Sequence, residues 1–134
     1  MADQLPYIKN FDAWNEHKKR IEKRTGPHAK PGEIWWTFLG LNIGHEQNGS
    51  GELHIRPCLI LRSYPNRTCL VIPTSTNIRR ISRPFAVVGM INNRQNSFLL
   101  SQARTIDMRR CDRILATMDP QLYRKIRTQF IELL

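Results

Sequence analysis

A chain of 134 residues, 40% of them hydrophobic, is long enough to bury one core and leaves little room for a second domain. Its 21 Lys and Arg against 11 Asp and Glu give a formal charge of +10, a field that attracts RNA, DNA or an acidic protein. Three cysteines, Cys58, Cys69 and Cys111, an odd number with no C-x-x-C pair, suggest neither a disulfide framework nor a zinc knuckle. The start MADQLPYIKN lacks the apolar stretch of a signal peptide, and the chain has no apolar run of membrane-spanning length, so a reducing cytoplasm without a membrane anchor is expected.

In chain order, residues 1–31 read as a helical arm and linker. Asn10 caps a helix over residues 11–24, with Phe11, Trp14 and Ile21 on one stripe. TGPHAKPG at residues 25–32 carries two Pro and two Gly and delivers the chain to a main domain spanning 32–134. There, residues 33–39 (EIWWTFL), 56–61 (RPCLIL) and 68–72 (TCLVI) read as strands, which makes Cys58 and Cys69 strand residues. Further strands are expected at 85–88, 97–100 and 103–106, with Asn92-Asn93 as a turn; short strands so spaced form a small barrel. Asp119 then caps a final helix with Pro120 in its first turn, an apolar face of Leu122, Ile126, Phe130 and Leu133, and Arg124, Lys125 and Arg127 in solvent.

Four segments have chemical potential. The stretch 40–55 (GLNIGHEQNGSGELHI) is a long loop holding His45 and Glu46, either of which can move a proton near neutral pH if suitably tuned. Taken alone, His45 reads as an exposed loop histidine, and His17, His28 and His54 carry less signal still. No H-E-x-x-H or other ligand spacing joins them, so no metal and no cofactor are expected. Arg56 opens the next strand, aimed by the rigid Pro57, where a guanidinium can meet a phosphate bidentately. From residue 32 onward the cations are thirteen Arg and one Lys. In PTSTN (73–77) the strand at 68–72 is expected to give way to a turn whose Thr74 and Ser75 can also donate to phosphate, beside a basic rim of Arg79, Arg80 and Arg83. In LSQARTIDMRR (100–110), Gln102 and Arg104 alternate on one polar face, and Asp107 with Arg109 and Arg110 reads as a structural ion pair or turn.

Taken in order, GEIWW (32–36), NIGHEQNG (42–49), RPCLIL (56–61), VIPTS (71–75) and SQARTID (101–107) resemble the MazF/PemK toxins, over a stretch from about residue 32 to the C-terminus. The resemblance implies a small SH3-like β-barrel with a C-terminal helix, the barrel type shared with gyrase-directed toxins of the CcdB kind, here with an added N-terminal helix. It implies a homodimer, restrained by an acidic antitoxin, that cuts single-stranded RNA selectively and without metal. The reaction would be 2′-hydroxyl attack giving a 2′,3′-cyclic phosphate. By matching positions, Arg56, Thr74, His45 and Glu46 would be catalytic. Gln102 would contact RNA, and Gln47, Ser75, Arg79, Arg80 and Arg104 are placed beside it as RNA-binding residues.

The pattern departs from the family at one place. Some PemK-type members carry an Arg and an Asp shortly before the Gln of the last motif, where this chain has Leu99 and Ser101. Proton transfer would then rest on His45 or Glu46. Two alternatives stand beside the nuclease: a nucleic-acid-binding module on the same barrel with weak or no catalysis, and a toxin that binds gyrase rather than RNA.

Overall fold

The structure, a computed structural model, describes residues 8–134. The reading of the first ten residues as leaderless falls largely on residues 1–7, which lie outside the described residues. Helix α1 (Phe11–Glu22) begins at Asn10, whose side chain accepts from the Ala13 amide at 3.0 Å, as expected. Its buried stripe is Trp14, His17 and Ile21, spaced three and four apart. Phe11, expected on that stripe, is 45% exposed. Just before the first turn Lys9 makes a contact, donating to the carbonyl of Asn42.

Seven antiparallel strands follow among the described residues: β1 (Glu33–Phe38), β2 (Ile55–Ser63), β3 (Thr68–Ser75), β4 (Ala86–Ile91), β5 (Arg94–Leu99), β6 (Arg104–Asp107) and β7 (Cys111–Thr117). Helix α2 (Pro120–Glu132) ends the fold, with Asp119 accepting from Leu122 N at 3.0 Å and Pro120 in the first turn. The sheet runs β4-β5-β3-β2-β1-β7, with β6 on β3. This is the mainly β, two-helix architecture expected, but no hydrogen-bonded pairing joins β4 to β7, so the sheet is not closed.

The main core gathers Ile34, Leu59, Ile72, Val87, Phe98 and Ile126, against which Leu122 and Phe130 of α2 and Leu133 just after it pack. A second cluster holds Leu39, Ile60, Val71, Met108 and all three cysteines, each a free thiol; burial pushes the Cys58 thiol up to about 12. A third joins Trp14 and Ile21 of α1 to Phe38 and Leu41. The arm is therefore packed on the body.

Three local differences from the sequence reading have physical causes. Strand β3 does not stop at Ile72 but continues to Ser75, because it changes partner: residues 68–71 pair with β6, while Thr74 and Ser75 pair with Phe98 and Ser97 of β5. Pro73 falls in the gap between these partners, where a missing N–H costs least. Gln102 lies in a single 3-10 turn (Leu100–Gln102) rather than on a strand with Arg104, and β6 starts only at Arg104. Strand β7 was not expected, since Asp112 and Arg113 interrupt its apolar pattern and Ile114 is 47% exposed at the edge of the sheet. The Asn92-Asn93 turn is as expected: φ is +48° and +66°, the left-handed pair of a type I′ hairpin, which Asn tolerates.

Candidate functional site

The connection between β1 and β2, residues 39–54, is fastened at its neck by two glycines. Gly40 has φ +78°, and a Cβ there would stand 2.1 Å from the Trp14 ring. Gly49 lies so close to His54 that a Cβ would meet its carbonyl oxygen at 1.8 Å, and the Gly49 amide donates to Gly40 O at 2.8 Å. Two asparagines brace the interior. The Asn42 amide donates to Asn48 Oδ1 at 2.6 Å, and Asn42 Nδ2 donates to Gln47 O at 2.8 Å. Glu46 caps its own turn by accepting from Ile43 N at 3.0 Å, and His45 is exposed at the tip.

Arg56 stands at the base of this loop. Its Nε donates to Asn48 O at 2.8 Å, one terminal nitrogen to Thr74 O at 3.1 Å, and the other to Ser50 Oγ at 3.1 Å. Every acceptor is neutral, and Arg56 belongs to no ion pair among the described residues. Three of the five guanidinium donors are thus engaged, leaving two for a ligand. Burial, and then the charge of Arg80, push its pKa below the ordinary guanidinium value. A partly buried cation without a counterion is a standing demand for an anion.

The cleft beside Arg56 has a volume of about 320 Å³ and is lined by Trp36, Ser50, Pro57, Thr74, Ser75 and Asn96, among others. Thr74 is only 1% exposed, and its hydroxyl donates to Pro57 O at 2.9 Å, which ties β3 to β2. The Ser75 hydroxyl accepts from the Asn77 amide at 3.1 Å. Apart from Arg56, no lining residue of this cleft is ionisable.

A second cleft of about 400 Å³ lies on the other flank of the loop, lined by Asn42, Glu46, Gln47, Ser101, Gln102, Ala103 and Arg104. Its two walls are joined by the Gln47 amide donating to Gln102 Oε1 at 2.9 Å. Carbonyl, amide, carboxylate and guanidinium groups line one space here, a donor and acceptor mix suited to the edge of a base.

The structure therefore sorts the sequence-derived residues into groups. Arg56, Thr74 and Ser75 share the first cleft; Glu46, Gln47, Gln102 and Arg104 share the second; His45 lines neither. Arg79 and Arg80 are exposed after β3. Leu99 is fully buried and Ser101 exposed, so neither stands in for an acid/base pair at the first cleft. Asp107 pairs with Arg109 at 3.0 Å, the structural role expected, whereas Arg110 donates to Phe38 O. His17 and His54, without functional signal in the sequence, are buried against Trp14. Sequence reasoning missed Trp36, Asn48, Ser50 and Asn96. Asn42 and Asn48 sit six apart in a loop with no periodicity, so only folding reveals that they hold one another.

The chain thus forms an antiparallel β fold with a polar loop, an arginine without a counterion among the described residues and exposed arginines after β3. The family model for the PemK-like, MazF-like toxin of type II toxin-antitoxin systems matches residues 30–134, and the chain belongs to that family. Among solved structures, MazF from Deinococcus radiodurans is similar over 82% of this chain and 97% of its own, at 22% identity and a TM-score of 0.64. An endoribonuclease from a mycobacterial species is similar over 81% and 93%, at 14% identity and a TM-score of 0.59. The MazE-MazF complex from Deinococcus radiodurans contains a similar chain, at 19% identity, with 82% and 96% covered and a TM-score of 0.55. At these identities the likeness is one of fold. No curated protein sequence matches the chain significantly.

Proposed function

We propose that the protein is the toxin of a type II toxin-antitoxin pair and an endoribonuclease that cuts single-stranded RNA without metal. The observation that carries this is Arg56, a guanidinium held by three neutral acceptors with two donors free, in the wall of the first cleft. In the reaction the ribose 2′-oxygen attacks the adjacent phosphorus and loses its proton. The 5′-oxygen departs and gains one, leaving a 2′,3′-cyclic phosphate and a 5′-hydroxyl. Arg56 would stabilise the charge that builds on the phosphoryl oxygens. Ser75 and Thr76 border that space; Thr74 acts by orienting its own carbonyl toward Arg56. Glu46 is the nearer of the two proposed proton carriers to a built cleft, and His45 would join it from the exposed tip. Gln47, Gln102 and Arg104 would read a neighbouring base, with Arg79 and Arg80 on the backbone.

The same reading gives the protein a homodimeric form, as the resemblance implies, a cytoplasmic site of action and an acidic antitoxin as partner. The charge of +10 and the solved MazE-MazF complex support that partner. No helix among the described residues is long and apolar enough to cross a membrane. The test is incubation of the purified protein with a long RNA in EDTA, followed by mapping of the ends. Cleavage leaving 5′-hydroxyl ends, lost in Arg56→Ala, is expected; intact RNA, or cutting that needs metal, refutes it.

One observation favours a second reading, a binding module with weak or no catalysis: the Arg56 cleft holds no acid or base. That reading expects salt-sensitive RNA binding without product and fails if the cyclic phosphate appears.

A further inference from the structure

Lys9 and helix α1 precede the family match, which begins at residue 30, yet they grip the loop that holds Arg56. The Trp14 ring occupies the space a side chain at Gly40 would need and packs edge-on to His54 with 5.4 Å between ring centroids. Gly40 and His54 are the two ends of the loop's neck, joined by the Gly40 amide donating to His54 O at 3.1 Å. Arg110, whose guanidinium lies 5.7 Å from the centroid of the Trp14 ring, closes the other side.

Further out, Lys9 Nζ donates to Asn42 O at 2.6 Å and to Gly44 O at 3.1 Å. Its charge has no carboxylate partner among the described residues; it is spent on loop carbonyls. From Asn42 the chain of bonds is short: Asn42 N to Asn48 Oδ1, then Arg56 Nε to Asn48 O. Lys9 is thus three hydrogen bonds from the free face of Arg56.

We infer that Lys9 and Trp14 are positioning residues for Arg56: α1 is a brace that fixes the loop from outside and thereby sets the direction of the guanidinium. A loop of some sixteen residues has many conformations, and each contact that fixes it lowers the entropy still to be lost when an anion arrives. For turnover this rests on the endoribonuclease reading; for loop order it does not.

The test uses the full-length protein and two variants, Lys9→Ala and Lys9→Arg, chosen because Lys9 lies outside the core. Amide exchange is followed at Glu46 and Gly49, whose N–H groups bond within the loop. Lys9→Ala is expected to speed exchange there and not in β2 or β3, to leave the melting temperature unchanged, and to lower kcat by about 10- to 100-fold with KM little altered. Lys9→Arg should restore both. With active wild-type protein, an unchanged kcat in Lys9→Ala overturns the inference, whatever the exchange does. If the wild-type protein leaves RNA intact, the endoribonuclease reading fails instead, and exchange alone decides the brace: faster in Lys9→Ala supports it, unchanged overturns it.

Discussion

Arg56 Nε and the carbonyl of Asn48 stand 2.8 Å apart, and this bond joins the first residues of a strand to the second half of a long loop. It orients the guanidinium while consuming none of its charge. Arg56→Ala should therefore remove cleavage by roughly 10²–10³-fold, the loss typical of one transition-state donor. Arg56→Lys should recover little, because an ammonium cannot span Asn48, Ser50 and Thr74 with two donors in reserve. Rate constants on a single defined RNA decide; near-wild-type turnover in Arg56→Ala would remove Arg56 from the site.

Thr74 makes a separate prediction about stability. Its hydroxyl satisfies the Pro57 carbonyl from a position with almost no solvent access. Thr74→Val keeps the shape and strands that acceptor, so urea unfolding should report a loss of about 1–3 kcal/mol. Thr74→Ser, which retains the donor, should lose far less.

At Gly40, two penalties coincide: φ of +78° and the Trp14 ring where a Cβ would sit. Gly40→Ala should cost more than the roughly 1–2 kcal/mol of the backbone term alone. In a double-mutant cycle with Trp14→Ala the cost should shrink toward that term. Strict additivity would show that the ring is not what forbids a side chain there.

Stability should fall in mild acid. Burial holds His17 below its usual value, with Arg20, His54 and Arg24 acting in the same direction, and burial alone lowers His54. Neither Nδ1 has a hydrogen-bond partner, and Arg110 sits over the adjoining Trp14. A histidine whose folded pKa is depressed leaves the unfolded chain holding more protons. Its contribution is complete above the ordinary value of 6.5 and is lost as pH falls through the folded pKa. Thermal melts from pH 8 to pH 5, run at constant ionic strength, should show the decline, and His17→Phe should flatten it; parallel curves for the two proteins would refute this origin.

If Arg79 and Arg80 lie along an RNA backbone, each should matter through charge alone. Replacing either by Ala should reduce the slope of log affinity against log salt by about 1, with little change in which sequences are preferred. Binding titrations at several salt concentrations with two unrelated RNAs separate this from base reading.

Much of the fold was legible because its signals are local. Asn10, Asp119 with Pro120, and Asn92-Asn93 each act within four residues, and the apolar runs of β1, β2 and β3 are continuous. What escaped depends on partners distant in the chain. The extension of β3 follows from β5, and β7 is held by β1 despite its charges. At the site, Arg56 was legible from its place before Pro57. The division of the loop between two clefts was not, since Gln47 faces Gln102 across fifty-five positions. His45, adjacent to Glu46 in sequence, parts from it because only Glu46 turns back onto Ile43 N.

Phe38 and Leu41 are buried in one cluster with Trp14 and Ile21 of α1. A fragment starting at residue 30 would hold the whole family match and still present an oily face next to the loop's neck. Similarity and packing thus draw the border of this protein in different places.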